Sequence, residues 1–243
     1  MAERLDGTVA LVTGASSGIG EAAAIALAAQ GASVGLAAQI QSDGGRALVI
    51  RADVTDEAQA RDAVERTVDH FGRLDTLVNN AGVMLLGPVV GAPLDEWQRM
   101  VDINVLGLLY VAHTALPHLL AAAEDSPRRV ADMINISSVA GRVARNGSAV
   151  YNATKHGVGA FSEALRQEVT RRHVRVSLIE PGAVETELSS HNRPEVLETI
   201  KKRFTDVERL QAPDIADAIT YIVTRPRYVA VNEILIRPTD QEG

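Results

Sequence analysis

The amino-acid sequence predicts a single α/β domain with a doubly wound, mostly parallel sheet of seven strands and helices on both faces. Short apolar runs alternate with amphipathic or alanine-rich stretches along the whole chain, which is the pattern of β–α–β units. A glycine-rich stretch follows the first apolar run directly, and polar residues follow several later ones. The chain has 243 residues, and 46% of them are hydrophobic. This is enough to form the buried core of one domain of this length.

Composition narrows the possible functions. The chain has no cysteine, which excludes a disulfide framework and a thiolate metal site, and its six histidines show no metal-ligand spacing. A net charge of −7 and an aromatic content of 3% argue against a nucleic-acid surface. We find neither an apolar run of about 18 residues nor a signal-peptide pattern, so we expect a cytoplasmic protein without a membrane span.

The chain opens with a strand, a glycine-rich loop and a helix. Residues 9–12 predict a buried strand, and residues 13–20 (TGASSGIG) lead from it into an alanine-rich helix at 21–30 that Gly31 ends. Glycines allow the backbone to approach a pyrophosphate closely, and the N–H groups at the start of the helix would face its charge. This order of elements predicts a phosphate-binding loop of the Rossmann type.

The remaining segments alternate in the same way. The further predicted strands lie at residues 33–37, 47–50, 74–78, 133–136, 174–179 and 233–236. The further predicted helices lie at residues 56–71, 94–120, 149–171 and 213–223, with a polar loop at 124–129. Residues 186–210 are polar and charged, and we expect them to form a partly helical lid over the substrate.

The connection after the second strand is shorter than this pattern requires. Only residues 39–46 separate Ala38 from Ala47, whereas a parallel crossover with its helix needs about 10–12 residues. Either the connection lacks its helix or a segment is missing from the sequence; the regular alternation elsewhere favours a missing segment. The end of this strand is where an acidic residue would bind an adenosine 2′-hydroxyl or an arginine a 2′-phosphate, but only Ala37, Ala38 and Gln39 stand there.

Candidate ligand-binding residues follow other predicted strands. Asp53 and Val54 follow the third strand, at the sheet edge where open α/β folds bind ligands, although a turn or helix-capping role suits Asp53 equally well. Small polar residues at 79–82 (NNAG) end the fourth strand. Asn104 lies inside predicted helix 94–120 between apolar neighbours, where asparagine is unfavourable, and this invites a specific role.

Tyr151 and Lys155 lie four residues apart and would share one face of helix 149–171. A phenol has a pKa of about 10, and a neighbouring cation lowers it, so the pair could work as an acid and base. The spacing alone is equally typical of a half-buried tyrosine beside a solvated lysine. The residues that accompany the pair therefore decide its interpretation.

Together these features resemble the short-chain dehydrogenase/reductase family over essentially the whole chain. Its glycine motif matches Thr13, Gly14, Gly18 and Gly20; its Asn-Asn-Ala-Gly motif matches residues 79–82; and its nicotinamide-side loop matches residues 181–186. Asn104, Ser138, Tyr151 and Lys155 match its catalytic tetrad, with Ser138 thirteen positions before Tyr151.

The resemblance implies an NAD(P)(H)-dependent enzyme that interconverts an aldehyde or ketone and an alcohol by hydride transfer. Tyr151 would be the acid and base, Ser138 would bind the substrate oxygen, and Lys155 would bind the ribose and lower the tyrosine pKa. Asn104 would organise a water next to Lys155. The expected cofactor residues are Gly14, Ser16, Ser17, Gly18, Ile19, Gly20, Asp53, Val54, Asn80, Ala81, Gly82, Tyr151, Lys155, Pro181, Gly182, Val184 and Thr186.

The substrate pocket should lie between residues 138–145, residues 84–86 and the lid. Met84 and Leu85 would make it partly apolar, and Arg142 and Arg145 could bind a substrate carboxylate, although solvated surface arginines fit the same pattern. The candidate substrate residues are Ser138, Arg142, Met84, Leu85 and Tyr151.

The resemblance also implies a small-molecule substrate and a homotetramer, or a dimer, built on the long helices. The stripe Leu108, Val111, Ala115 and Leu119 suits such packing, but a core-facing stripe has the same pattern. Segments 84–88, 115–120, 210–212 and 233–241 are similar to clavulanate dehydrogenase-like members of the family. Those members carry an arginine pair and a helix in the connection after Ala38, which favours NADP(H) and leaves NAD(H) possible.

Two other functions remain open. A sugar-nucleotide epimerase or dehydratase of the extended branch also uses Tyr-x-x-x-Lys, but its glycine motif and longer substrate domain fit this chain less well. A cofactor-binding sensor without catalysis need not keep all four tetrad residues. Oxidation of NADPH by aldehydes and ketones would separate a sensor from an enzyme.

Overall fold

Seven parallel strands form one sheet in the order β3-β2-β1-β4-β5-β6-β7 in the computed structural model, which describes residues 3–36 and 47–242. The strands are β1 Val9–Val12, β2 Ser33–Leu36, β3 Ala47–Val49, β4 Thr76–Asn79, β5 Ala131–Ile136, β6 Val174–Pro181 and β7 Glu233–Ile236. The order changes direction between β1 and β4, and such a switch point opens a crevice at the carboxyl ends of the strands. The predicted fold class is confirmed.

Helices cover both faces of the sheet. They are α1 Gly18–Ala29, α2 Glu57–Phe71, α3 Leu94–Val101, α4 Leu108–Asp125, α5 Ala149–Val169, α6 Pro194–Arg203 and α7 Ala212–Val223. One apolar core lies between the sheet and helices α1 and α7, and a second lies between the sheet and helices α2, α4 and α5.

The central strands supply both cores because successive side chains of a strand point to opposite faces. In β1, Val12 joins the first core and Leu11 the second; in β4, Val78 and Leu77 divide in the same way. Since both faces are covered, these strands are fully buried, which explains why they appear in the sequence as continuous apolar runs.

The long helix predicted at 94–120 is confirmed and extends to Asp125, so the polar loop predicted at 124–129 begins later than expected. Helices α3 and α4 join through a π-helical stretch, Asp102–Gly107, that contains Asn104. Within the described residues, the helix over 94–125 is long and apolar enough to cross a membrane by length and composition alone. Its stripe of Val111, Ala115 and Leu119 packs into the second core, as in a core helix.

Strands β2 and β3 pair in parallel, Val34 opposite Ala47, although only residues 37–46 connect them. Their parallel direction agrees with the predicted sheet. The expectations for Ala37, Ala38 and Gln39 fall outside the described residues.

The lid segment, residues 186–210, begins after β6, and its last residue returns to the chain that directly follows β6. It contains a 3₁₀ turn, Glu187–His191, and helix α6, in line with the partly helical character expected. Its two ends meet, since Leu210 N–H donates to Ala183 at 3.0 Å and Glu185 N–H donates to Leu210 at 2.8 Å. The segment is therefore a loop whose two ends lie side by side at the carboxyl end of β6.

Candidate active site

A cleft of about 460 Å³ lies at the carboxyl ends of the central strands. This size is ordinary for a small-molecule site. The predicted site residues that line it are Gly14, Ser16, Ser17, Gly18, Ile19, Asn80, Ala81, Gly82, Met84, Ser138, Tyr151, Lys155, Pro181, Gly182, Val184 and Thr186. The chain segments that carry these residues are far apart in sequence, and the fold brings them to one place.

The glycine loop approaches its neighbours too closely for side chains. Gly14 and Gly18 have positive φ angles of 62° and 57°, and a Cβ on Gly20 would overlap the carbonyl oxygen of Gly14. The Asn80 amide donates to the carbonyls of Thr13 and Gly14, at 3.0 Å each, and so holds the loop against β4. Among the described residues no side chain caps the N-terminus of α1, so its first N–H groups remain available to an anion.

Tyr151 and Lys155 are both buried in the wall of the cleft. Burial raises the pKa of Tyr151 to about 12, and a hydrogen bond with Ser138 acts in the opposite direction. Burial lowers the pKa of Lys155 to about 8, and its Nζ donates to the Ile136 carbonyl at 2.8 Å. The ammonium lies 5.9 Å from the centre of the tyrosine ring.

We expected Lys155 to lower the tyrosine pKa, whereas desolvation of the phenolate raises this pKa and the opposing effect comes from Ser138. Tyr151 is therefore a protonated phenol at neutral pH. This is the form that can donate a proton to a developing alkoxide.

Ser138 follows β5 and begins a 3₁₀ turn, Val139–Gly141. Its Oγ accepts from the Ala140 N–H at 3.1 Å, which fixes the side chain at the start of the turn. A side-chain hydrogen-bond interaction with Ser138 lowers the pKa of Tyr151, so the two hydroxyls lie close together.

Asn104 is buried in the π-helical stretch behind the cleft. Its Oδ1 accepts from the Val83 N–H at 2.8 Å, and its Nδ2 donates to the Val83 carbonyl at 2.9 Å and to Thr154 Oγ1 at 3.3 Å. Asn104 thus ties the chain after β4 to α5, next to Lys155. The π-helical widening of the helix accompanies this inserted polar side chain.

Six predicted site residues are not part of the cleft lining: Gly20 and Asn104, described above, and Asp53, Val54, Leu85 and Arg142. Asp53 is exposed and accepts from the backbone N–H and the hydroxyl of Thr55, at 2.9 and 2.7 Å, which is the turn role considered above. Val54 packs against Gly107, and Leu85 is buried in a cluster with Met100.

Arg142 also lies elsewhere. Its Nε lies 2.7 Å from both carboxylate oxygens of the buried Glu180, and its Nη2 pairs with Glu233. These carboxylates raise its pKa. Arg142 therefore joins the chain after Ser138 to β6 and β7 and is not brought to the cleft as a free cation.

Two buried asparagines that sequence reasoning passed over organise the site. Asn152 accepts from the Arg145 N–H at 3.2 Å and donates to the carbonyls of Ala140 and Val143, at 2.6 and 3.0 Å. It clamps residues 140–145 to α5 beside Tyr151. The only sequence signal was a short polar residue inside a helix, next to the tyrosine predicted to be the acid and base.

The second asparagine, Asn192, joins the lid segment to the cleft wall. It accepts from the Leu86 N–H at 2.7 Å and donates to the Met84 carbonyl at 2.8 Å. At the C-terminal end, the Ala183 N–H donates to Gln241 at 2.8 Å, which fixes the chain after β6. No sequence pattern linked these distant segments.

These residues fit a nicotinamide dinucleotide. The glycine loop leaves no room for side chains where a pyrophosphate would lie, and the uncapped start of α1 faces its charge. Lys155 and Tyr151 stand two strands away, past β4, where the far half of such a molecule would reach. The donor set of the cleft therefore suits an anionic, hydroxyl-rich ligand.

Comparisons with known proteins agree with this geometry. Residues 8–197 match the short chain dehydrogenase family. An uncharacterized oxidoreductase of Staphylococcus epidermidis is 37% identical over 238 residues, which cover 95% of this chain and 96% of the relative. One of Staphylococcus aureus is 36% identical over 241 residues, with the same coverage.

Two solved structures are also similar. The closed form of serine dehydrogenase complexed with NADP+ superposes with a TM-score of 0.88 and 30% identity, covering 97% of both chains. The 3-ketoacyl-(acyl-carrier-protein) reductase from Brucella melitensis complexed with NADH gives a TM-score of 0.81 and 30% identity, covering 96% of this chain and 98% of the reductase.

Proposed function

Because the chain belongs to the short-chain dehydrogenase family, we propose that this oxidoreductase interconverts an aldehyde or ketone and an alcohol by hydride transfer. One observation carries the proposal. The buried, protonated Tyr151 lies beside Ser138 and Lys155 in the same cleft as the glycine loop. A cofactor-binding module alone would not need that arrangement.

When bound, the reduced nicotinamide supplies the hydride to the carbonyl carbon. The Tyr151 hydroxyl donates its proton to the carbonyl oxygen as negative charge develops there, and takes the proton back in the reverse direction. The Ser138 hydroxyl donates a hydrogen bond to the same oxygen and orients it.

Lys155 would hold the ribose hydroxyls of the cofactor. Tyr151, whose pKa is raised by burial, would then have its pKa lowered by the ammonium and by the positive charge of an oxidised nicotinamide ring. Asn104 holds the chain after β4 against α5, next to Lys155. A water held near Asn104 would link the ammonium to solvent.

For the cofactor we propose NADP(H), with NAD(H) as the alternative. The serine dehydrogenase neighbour was solved with NADP+, whereas the Brucella reductase was solved with NADH. Likeness of residues 84–88 and 233–241 to clavulanate dehydrogenase-like members supports NADP(H). Titration of the protein with NADPH and NADH, followed by nicotinamide fluorescence, decides between them.

Oxidation of NADPH with a panel of aldehydes and ketones tests the activity. We expect the wild-type protein to oxidise NADPH in this assay. We expect Tyr151→Phe to abolish this turnover and to leave the cofactor affinity unchanged. Tight cofactor binding without turnover of any carbonyl compound would instead favour a sensor, and sugar-nucleotide conversion without net cofactor oxidation would favour an epimerase.

The predicted homotetramer or dimer needs a surface other than the apolar stripe on α4. Leu108, Val111, Ala115 and Leu119 are all buried within one chain. Assembly therefore rests on the family resemblance, and light scattering of the purified protein measures it directly.

A further inference from the structure

The charged lining of the cleft is opposite in sign to the protein as a whole. The chain carries a net charge of −7. Yet among the described residues that line the cleft, the cations are Arg145, Lys155, Arg203 and Arg209, and the acidic residue is Glu187. A cleft that concentrates positive charge on an acidic protein attracts anions.

Arg145 and Arg209 are both half-buried, and in the described part of the chain no carboxylate forms an ion pair with either. Arg209 lies over the Phe204 ring of the lid segment, 5.6 Å from its centre, whereas Arg145 belongs to the loop after Ser138. Arg142, three residues earlier, is held by Glu180 and Glu233. Both arginines were predicted as candidate carboxylate ligands. The charge of Arg142 is neutralised by two carboxylates of the protein, whereas Arg145 lines the cleft without such a partner.

The backbone of Arg145 is held by helix α5. Its backbone N–H donates to Asn152, which also holds Ala140 and Val143. Asn152 directly follows Tyr151 on α5. The loop that carries Arg145 is therefore clamped to the residue next to the proposed proton donor, and this places Arg145 near the reacting end of the cleft.

Arg145 also lies away from the phosphate end. The glycine loop follows β1, whereas Ser138 and the loop that carries Arg145 follow β5, with β4 between them. Neighbouring strands lie about 4.8 Å apart, so the two loops begin about 10 Å apart. The cofactor pyrophosphate belongs at the first loop, and a charge at the second meets the substrate.

We propose that the substrate carries a carboxylate in addition to its reacting carbonyl or alcohol, and that Arg145 binds this carboxylate while Ser138 and Tyr151 hold the oxygen. Arginine is suited to this role because its planar guanidinium binds a carboxylate through two parallel hydrogen bonds. The inference rests on the proposed carbonyl–alcohol function and adds its substrate class. The carboxylate is not changed by the reaction.

The experiment compares 4-oxobutanoate with its neutral methyl ester as substrates for reduction. The wild-type enzyme should prefer the acid by about 10- to 100-fold in kcat/KM, the range expected for a hydrogen bond to a charged group. Arg145→Met should remove this preference by raising KM for the acid, and should leave the ester within about twofold. Arg171→Met, which deletes an exposed arginine ahead of β6, is the matched control and should change neither substrate.

Calorimetric titration of both compounds against the complex with oxidised cofactor gives a readout that does not need turnover. Tighter binding of the acid, lost in Arg145→Met, supports the proposal even if neither compound is reduced, in which case the proposed activity alone is in question. Equal binding of acid and ester to the wild type overturns the carboxylate site. A weaker cofactor affinity in Arg145→Met with acid preference intact also overturns it, because Arg145 would then serve a cofactor phosphate.

Discussion

Charged side chains are buried at both ends of the sheet, but the two ends differ in whether the buried cation is paired with a carboxylate. At the amino ends of β5 and β6, Arg175 pairs with the fully buried Asp132 through two contacts of 2.6 and 2.8 Å. Arg175 also donates to the backbone carbonyls of Val223, Arg225, Pro226 and Val229. At the carboxyl ends, Lys155 is as deeply buried, but among the described residues no carboxylate pairs with it.

The difference separates a charge that holds the structure from a charge kept for chemistry. A buried ion pair whose donors all have partners locks neighbouring segments together. A buried cation held by one carbonyl has a lowered pKa and remains available to a ligand. Four changes to the chain, taken from the largest expected effect to the smallest, test this contrast.

Replacement of Tyr151 by phenylalanine should lower kcat about 10³- to 10⁴-fold, because the proton donor is lost while the ring still fills its place. The thermal transition should stay within a few degrees of the wild type. Steady-state kinetics and a cofactor titration check both statements. Near-normal turnover in this variant would show that another group protonates the alkoxide.

At the opposite end of the sheet, Asp132→Ala should lower the free energy of unfolding by about 3–5 kcal/mol, because it leaves the buried guanidinium without its partner. The fraction that stays folded should keep its kcat. Asp62→Ala, which removes an exposed partner of Arg66, should cost less than about 0.5 kcal/mol in the same urea titration. A similar small loss in both variants would contradict the structural role of Asp132.

Lys155→Met should make the protein more stable at pH 7, by about 2 kcal/mol, because the desolvation of a buried ammonium is removed. The cofactor affinity should fall at the same time. Lys201→Met, on the exposed face of α6, should change neither quantity. A loss of stability in Lys155→Met would mean that the buried ammonium is a structural ion after all.

The same lysine predicts a pH dependence. Its pKa is about 8 in the folded protein and 10.5 ordinarily, so the unfolded state holds more protons between those values and stability should rise with pH across that window. Tyr151 acts in the opposite direction from pH 10 to about 12, since its pKa is raised on folding. Denaturant titrations at pH 7.5, 8.5 and 9.5 should show the rise in the wild type and not in Lys155→Met.

The smallest effect is expected for Asn152→Ala, about 1 kcal/mol in stability, because three partly buried hydrogen bonds to the loop after Ser138 are lost. Activity should fall about tenfold, since Ser138 and Arg145 lose their common support. Asn146→Ala, at an exposed position of the same loop, is the control. Unchanged kinetics in Asn152→Ala would separate the clamp from the chemistry.

The fold, and the meeting of Ser138, Tyr151 and Lys155 in one cleft, could be predicted from the sequence because they leave local patterns. Buried strands appear as apolar runs, and the glycine loop, Ser138, Tyr151 and Lys155 each stand at a fixed place relative to such a run. The partners of those groups depend on packing between distant segments. Nothing local in the sequence showed that Glu180 would hold Arg142, or that Asn192 would hold Leu86.

The direction of the tyrosine pKa was missed for a similar reason. Sequence spacing shows that a lysine is near Tyr151, but it does not show how far water is excluded from both side chains. Burial raises the energy of the phenolate and of the ammonium alike. The balance became visible only once both groups had been placed in the cleft wall.

The paired ends of the lid segment have a practical consequence. Because Ala183–Glu185 and Leu210 meet at the carboxyl end of β6, everything between them is a cassette that enters and leaves the scaffold at one point. The conformational entropy of closing such a loop grows slowly, by about 0.6 kcal/mol for each doubling of its length. Cassettes of other lengths and compositions could therefore be grafted between these two ends to redirect the enzyme toward other carbonyl compounds, with the glycine loop and Tyr151 left in place.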